Sequence, residues 1–420
     1  MINASKNIKD LNIQKVELIN YMGEIIDISA LFLQVNIYES IFSNFMTGDI
    51  IINDGLDLLN NFPIICQEKI RLQFYNPGFQ TSKVLEFNVV RVSDIKTEIN
   101  NDKVQTYILH FTTVEALKNR LVTVSRLLKG KADEVVYKLL TEDWGLKLKE
   151  HYKIEKSDTE VKFIVPYWDP VKTINYLSTR CIPEGAKYPT YLFYQDWDNF
   201  NFVSFESMLS NPVTETFYYA PPNAIVNYSI DERAMNVNRY EISHYVDLFD
   251  MLDNNVTFND YLEVDLLNKK YKTNKYDYLE HSKKIPSLYH NPLIPESNLD
   301  GLEFNKSNND VRTIYNFSDD KDTKKFNKWI LYRQPLLKLM QSIIVKIETT
   351  ENVERRVGNV VEFNIPSRER FENGMKYAKL LSGKFVISKI RHSIGHNSLG
   401  TATIELIKDS FPNPLDGGKI

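Results

Sequence analysis

Alternation with a period of two dominates the first quarter of the chain. Leu31, Leu33, Val35 and Ile37 alternate with Phe32, Gln34, Asn36 and Tyr38, and the period returns in Ile70, Leu72, Phe74 and in Leu85, Phe87, Val89, ahead of KVQTYILHFTT. Successive side chains of a strand point to opposite faces, so residues 25 to 112 predict an antiparallel, barrel-like sheet. Gly48 is expected to break TGDIIINDG away from the preceding strand, and Asn53, Asp54 and Gly55 to close it in a turn. The loop between these strands is unusual, because it carries Ile41, Phe42, Phe45 and Met46 where polar turn residues are expected. Leaving a large apolar side chain in water forgoes about 1.5–3 kcal/mol of burial. Something therefore covers these residues, either a neighbouring subunit or the chain's own barrel. Phe42, Phe45 and Met46 are accordingly the candidate protein-interface residues.

Helical periodicity follows. KADEVVYKLLTEDWG places Val135, Val136, Leu139 and Leu140 on one face and stops at Gly145. WDPVKTINYLSTRC opens with Asp169 as N-cap and Pro170 at the first helical position, backed by Val171, Ile174 and Leu177. With VKFIVPYW, YLFYQDW and NFVSFESML around them, these helices predict a small α/β unit. RYEISHYVDLFDML and NDYLEVDLLNKKYKTNKYDYLE restore strand character. A polar stretch without periodicity then runs to about residue 333 and reads as an insertion or long loop. RQPLLKLMQS predicts a short helix, and IIVKIETTE, RVGNVVEFNIPS, GKFVISKIRHSI and GTATIELIKDSF predict four closing strands. TGDIIINDG and VGNVVEFNIP share a Gly, an Asp or Asn, a β-branched strand and a turn, and each precedes a pair of long alternating strands. Two barrels of similar grammar, one at each end, account for this echo.

Composition bounds the function classes. A chain of 420 residues, 43% hydrophobic and 25% charged, can bury a large core and divides into two to four domains. A net charge of −4 gives no global reason to bind nucleic acid or an acidic membrane. The N-terminus lacks an apolar signal core, and nowhere do eighteen apolar residues run together, so a soluble protein made in a cytoplasm is expected. In that setting Cys66 and Cys181, far apart in sequence, are expected as free thiols.

Motifs for catalysis are missing from the sequence. It contains no G-x-S-x-G, phosphate loop, G-x-G-x-x-G or H-E-x-x-H. His392 and His396 in HSIGH are four apart, a spacing that gathers metal ligands on a helix, but here they span a strand end and a glycine turn. Asp196 and Asp198 in YQDWDNF could form an acid pair beside aromatic rings, as sugar cleavage requires, or a tight turn. Asp319, Asp320 and Asp322 lie in a polar loop and read as solvated. Lys269, Lys270, Lys272 and Lys275 among Tyr271, Tyr276 and Tyr278 could bind a single nucleic-acid strand or guard a sheet edge.

The order of SIFSNFMTGDIIINDG, WDPVKTINYLSTRC, RYEISHYVDLFDMLDNN with NDYLEVDLLNKKYKTNKYDYLE, and VGNVVEFNIPS with LSGKFVISKIRHSIG and TATIELIKDSF resembles the central baseplate hub protein of contractile-tailed bacteriophages. That family is related to the hub part of type VI secretion spike proteins. The resemblance covers residues from about 20 to 412, and the polar stretch 281–333 matches least. It implies an α+β, predominantly β chain with two tail-tube-like antiparallel β-barrels: 1–115 as the first, 116–221 as an inserted α/β domain, and 222–280 with 334–412 as the second. Residues 281–333 form the polar insertion and 413–420 a tail. It also implies a homotrimer that adapts a hexameric tail tube to a trimeric spike and continues the axial channel. The expected partners are a central spike protein, tube or tube-initiator proteins, and baseplate wedge or other hub proteins, with DNA only as cargo. The expected place is the virion tail baseplate, assembled in the host cytoplasm without integral membrane contact. No cofactor, metal or catalytic residue is expected. A tail-tip protein reading host glycans through YQDWDNFNF is the alternative, followed by a glycoside hydrolase.

Overall fold

The computed structural model describes residues 12–76, 81–98, 101–219, 235–266, 268–282, 287–294, 298–299, 302–303, 312–316, 328–352, 354–367, 377–396 and 400–415. Asp319, Asp320 and Asp322 lie outside the described residues. The fold is α+β and predominantly β, and its main element among the described residues is a sheet of thirteen strands.

Two strand groups build that sheet, each over its own apolar core. The first comprises Asn12–Ile19, Ile25–Asp27, Phe32–Ser40, Thr47–Asp54, Lys69–Asn76, Thr81–Glu98 and Asn101–Thr112, paired antiparallel throughout. Val16, Val35, Ile37, Ile50, Leu72 and Leu109 are fully buried beneath it. The second comprises Val213–Tyr218, Val237–Tyr245, Ile343–Thr350, Val360–Asn364, Gly383–Gly395 and Thr401–Lys408. Val345, Phe363, Phe385, Ile404 and Leu406 are fully buried there. A bridge between Tyr218 and Asn236 links the two ends of this second group.

One strand fuses the groups. Gly383–Gly395 has 13 residues, an extended length of about 43 Å, which is enough for two successive partners on one edge. Its first part pairs with Val360–Phe363 of the second group, and Lys389–Gly395 pairs with Gln34–Ser40 of the first. The two barrel-like units are therefore not separate but continuous.

The phase within Phe32–Ser40 departs from simple alternation. A bulge between Phe32 and Gln34 shifts the register, so Phe32 is 4% exposed whereas Leu33 is 49% exposed. Gly48 does not break the chain either. It lies inside the strand, where an added Cβ would meet the Phe111 ring at 2.3 Å and the Asn36 carbonyl oxygen at 2.5 Å. Its role is close approach rather than a turn.

The α/β unit holds a third core. Helices Ala132–Thr141 and Pro170–Arg180 pack with strands Tyr191–Gln195, Phe200–Ser204 and Tyr152–Ile154 and with the antiparallel pair Leu127–Lys131 and Glu160–Ile164. Asp169 caps its helix by accepting from the Lys172 N–H at 2.8 Å, with Pro170 following as the sequence predicts. Phe258–Asp265, Lys270–Asp277 and Arg312–Asn316 form a separate three-stranded sheet, and helix Lys328–Met340 starts inside the stretch read as polar insertion. Tyr276, Leu331 and Leu336 join the second core. Among the described residues no helix is long and apolar enough to cross a membrane.

Candidate functional site: the polar sheet face and the junction behind it

The loop Ile41–Met46 is where the three cores meet. Ile41 is 1% exposed in the second core, Met46 is 3% exposed in the first, and Phe45 packs on the third with its ring edge-on to Phe200 at 6.1 Å. The loop's polar groups follow the same division. The Ile41 N–H donates to the Ser388 carbonyl oxygen at 3.0 Å, the Asn44 amide donates to the Phe193 carbonyl oxygen at 2.8 Å, and the Met46 carbonyl oxygen accepts from Thr112 Oγ1 at 2.9 Å. Met46 and Phe45 therefore turn inward, because their own chain supplies the cover that the sequence demanded. Of the three candidate interface residues, Phe42 alone is exposed, at 40%.

Around the joint of the fused sheet, the face opposite the cores is mainly polar, and the strand register arranges it in rows. Glu241, Lys346, Glu405 and Lys389 are consecutive cross-strand neighbours, so charge alternates along one row. The next row reads Arg239, Glu348, Thr403, Arg391, Tyr38 and Thr47. A third runs from Ser393 through Asn36, Asp49 and His110 to Arg91. The second and third rows cross the joint between the groups, through the pairs Arg391 with Tyr38 and Ser393 with Asn36. At the joint, Asn36 Oδ1 accepts from Arg391 Nη2 at 3.0 Å, its amide donates to Asp49 at 2.7 Å, and Tyr38 donates to the same carboxylate at 2.7 Å. Burial, with Asp49 beside it, pushes the Tyr38 phenol up to about 12.

Beneath this face lies a buried charged cluster. His392 is 2% exposed, with Nδ1 2.9 Å from Glu351 Oε1 and Nε2 3.0 Å from Glu39 Oε1. Arg355 donates to Glu215 at 2.9 Å, and Asn352 bonds the same carboxylate. No sequence motif marks Glu39, Glu351, Arg355 or Glu215 as a group. A signal existed for two members, since Glu39 follows Val35 and Ile37 at the inward phase and His392 falls between Ile390 and Ile394.

The other motifs dissolve into ordinary structure. Asp196 accepts from the Asp198 and Asn199 N–H groups and from Asn201 Nδ2, all within 2.8 Å, and Asp198 pairs with Arg356 at 2.7 Å. Burial raises the Asp196 carboxyl. This is a tight turn, and its rings are in the cores: Trp197 is 5% exposed and Phe200 3%. The turn borders a cleft of about 650 Å3 that Lys118, Lys149 and His151 also line. His396 lies on the surface, away from the buried His392. Among the described residues no group of His, Cys, Asp and Glu is placed to hold a metal. Of the tyrosines interleaved with lysines, Tyr276 and Tyr278 are buried while Tyr271 is 79% exposed, so the three do not share a binding face. Cys66 is exposed and Cys181 buried, both as free thiols.

The chain is predominantly β, with two strand groups fused into one sheet and an α/β unit between them in sequence. Two solved structures share this fold over nearly their whole lengths. The tail protein from Neisseria meningitidis MC58 superposes with a TM-score of 0.54 at 11% identity, over 95% of this chain and 99% of that one. The 43 kDa tail protein of prophage MuSo2 from Shewanella oneidensis gives 0.54 at 8% identity, over 94% and 98%. The likeness is one of fold. No family model matches the sequence, and no curated protein matches it.

Proposed function

We propose that the chain is the central baseplate hub subunit of a contractile phage tail, a structural protein rather than an enzyme. The observation that carries this reading is the fused sheet: two strand groups, each on its own core, present one continuous polar face from a single chain. Two tube-like units per chain and three chains per ring meet a sixfold tube above and a threefold spike below. In this reading the first unit spans 1–115, the α/β unit 116–221, and the second 222–280 with 334–412.

The polar face then lines the axial channel. Its alternating row Glu241, Lys346, Glu405, Lys389 gives no continuous basic strip that would hold a polyanion, which suits DNA passing as cargo. Phe42 contacts a neighbouring subunit, the tube or its initiator, while a separate spike protein binds below. The product is a virion component of the tail baseplate.

Electron microscopy of the purified particle down its axis, with light scattering of the complex with its spike, tests this. The expected result is a ring with a central channel and a hub mass of three times the 49.1 kDa chain. A chain that stays monomeric together with its spike would refute the hub.

A further inference from the structure

The buried cluster at the joint has a chemistry that an architectural role does not use. Glu39 belongs to the first strand group and Glu351 follows strand Ile343–Thr350 of the second. Each is 2% exposed, and His392 between them places one ring nitrogen within 3.0 Å of each carboxylate. The second oxygen of each glutamate, Glu39 Oε2 and Glu351 Oε2, has no hydrogen-bond partner among the described residues. A neutral imidazole donates from one nitrogen only, whereas the imidazolium donates from both. Two ionised carboxylates at the two nitrogens are satisfied together only by the charged ring.

The remaining charged and titratable groups around the cluster have other partners or interact with the glutamates. Arg355 is paired with Glu215 and also acts on Glu351, while the Glu39 charge helps to raise Asp196 and Tyr194, both of which burial raises first. The Trp197 ring stands 5.2 Å from the imidazole, and Arg391, the neighbour in sequence, faces the other side of the sheet.

We propose that His392 is a proton-operated lock between the two strand groups. With both ring nitrogens protonated it ties Glu39 to Glu351 across the joint. With one proton gone, two buried carboxylates share a single donor and the joint of Gln34–Ser40 with Lys389–Gly395 loosens. Burial disfavours the charged ring, but the two carboxylates outweigh it and raise His392 to about 9. A folded value above the ordinary 6.5 means that the stabilisation is full below pH 6.5, declines as pH rises, and is gone above about 9. Lys408 works in the opposite sense. Burial lowers it from 10.5 to about 7, so between those values the folded state gains stability as pH rises. The lock is therefore read locally.

The experiment uses the full chain labelled with 15N-histidine, followed by NMR from pH 7.5 to 10, with amide hydrogen exchange recorded in parallel. One of the seven histidines should show the imidazolium signature at pH 7.5, lose it near pH 9, and be missing in His392→Gln. Protection factors in Gln34–Ser40 and Lys389–Gly395 should fall at least tenfold through that titration. Those in Tyr191–Gln195 and Phe200–Ser204 should hold. Glu39→Gln should move the titration to lower pH. If His392→Gln does not fold, the wild-type spectra decide alone. A set of histidines all neutral at pH 7.5 overturns the proposal, and so does joint protection that stays flat or falls in step with the α/β unit.

Discussion

Truncating the loop between Phe32–Ser40 and Thr47–Asp54 distinguishes its inward residues from its outward one. Ile41→Ala removes a side chain 1% exposed in the second core, and Met46→Ala one 3% exposed in the first. Large-to-small changes at such sites cost about 2–5 kcal/mol, combining lost transfer energy and the cavity left behind. Phe42→Ser acts on a residue 40% exposed, so its effect on folding should stay within about 0.5 kcal/mol. A domain is stable by only about 5–15 kcal/mol in total, which makes either core change large. Urea denaturation followed by tryptophan fluorescence measures the effect. With Trp144, Trp168 and Trp329 replaced by Phe, Trp197, 5% exposed and 5.1 Å from the Phe74 ring, reports on the first core. Because three cores need not unfold together, a probe tied to one of them is preferable to a single global midpoint. Met46→Ala should lower the Trp197 transition, while Ile41→Ala should first loosen the second core, read by amide exchange in Ile343–Thr350. Phe42→Ser should leave both unchanged and weaken ring or tube assembly. Wild-type transitions in both alanine variants, or a Phe42→Ser chain less stable than Met46→Ala, would refute this account of the loop.

Other substitutions probe the turn and the sheet. Asp196→Asn should destabilise by about 1–3 kcal/mol in thermal or urea melts, because its amide group would face the Asn201 amide across a buried site. Asp198→Asn loses an ion pair in which the carboxylate is 43% exposed, so about 1 kcal/mol or less is expected, with assembly and infectivity intact. Gly48→Ala should lower the melting temperature by the equivalent of about 1–3 kcal/mol or more, since its methyl group would overlap the Phe111 ring and the Asn36 carbonyl oxygen. Soluble glycans should neither bind nor be cleaved, as checked by calorimetry and by product analysis; saturable binding abolished by Asp198→Asn would favour the glycan-reading alternative.

Much of the strand content was legible because alternation is a local signal. Val35 and Ile37 are fully buried as their phase predicts, and Asp169 with Pro170 announced its helix. Phe32 and Leu33 exchanged places because a bulge adds one residue to one strand, which alternation alone does not reveal. Helix Lys328–Met340 begins five residues before Arg333, where its sequence reading started, since Pro335 inside it and the polar run that precedes Lys328 obscured the onset. The fused sheet was not legible. It depends on pairs such as Gln34 with Ser393, 359 residues apart, and such pairing is specified by the assembled cores rather than by either segment. The loop was recognisable as anomalous, but its division among three cores follows from tertiary packing. The buried cluster left a partial trace, because Glu39 and His392 occupy apolar phases of their strands.

That trace bears on how the joint finds one register. A slip of one residue between Gln34–Ser40 and Lys389–Gly395 would turn every side chain to the opposite face. Arg391 and Ser393 would enter the core, while Ile390, His392 and Ile394 would leave it. A wholly apolar inner row would penalise this only through lost burial. Here the slipped state also strands Glu39 and Glu351 without their shared donor, and breaking a buried ion pair costs about 3–5 kcal/mol. The correct pairing itself gains little from burying charge, because desolvation offsets most of the attraction. We therefore attribute to the cluster a contribution to register more than to net stability. With the register set, Lys389 meets Glu405 on one side of its strand and Arg391 reaches Asn36 on the other, so the polar rows continue from one strand group into the next.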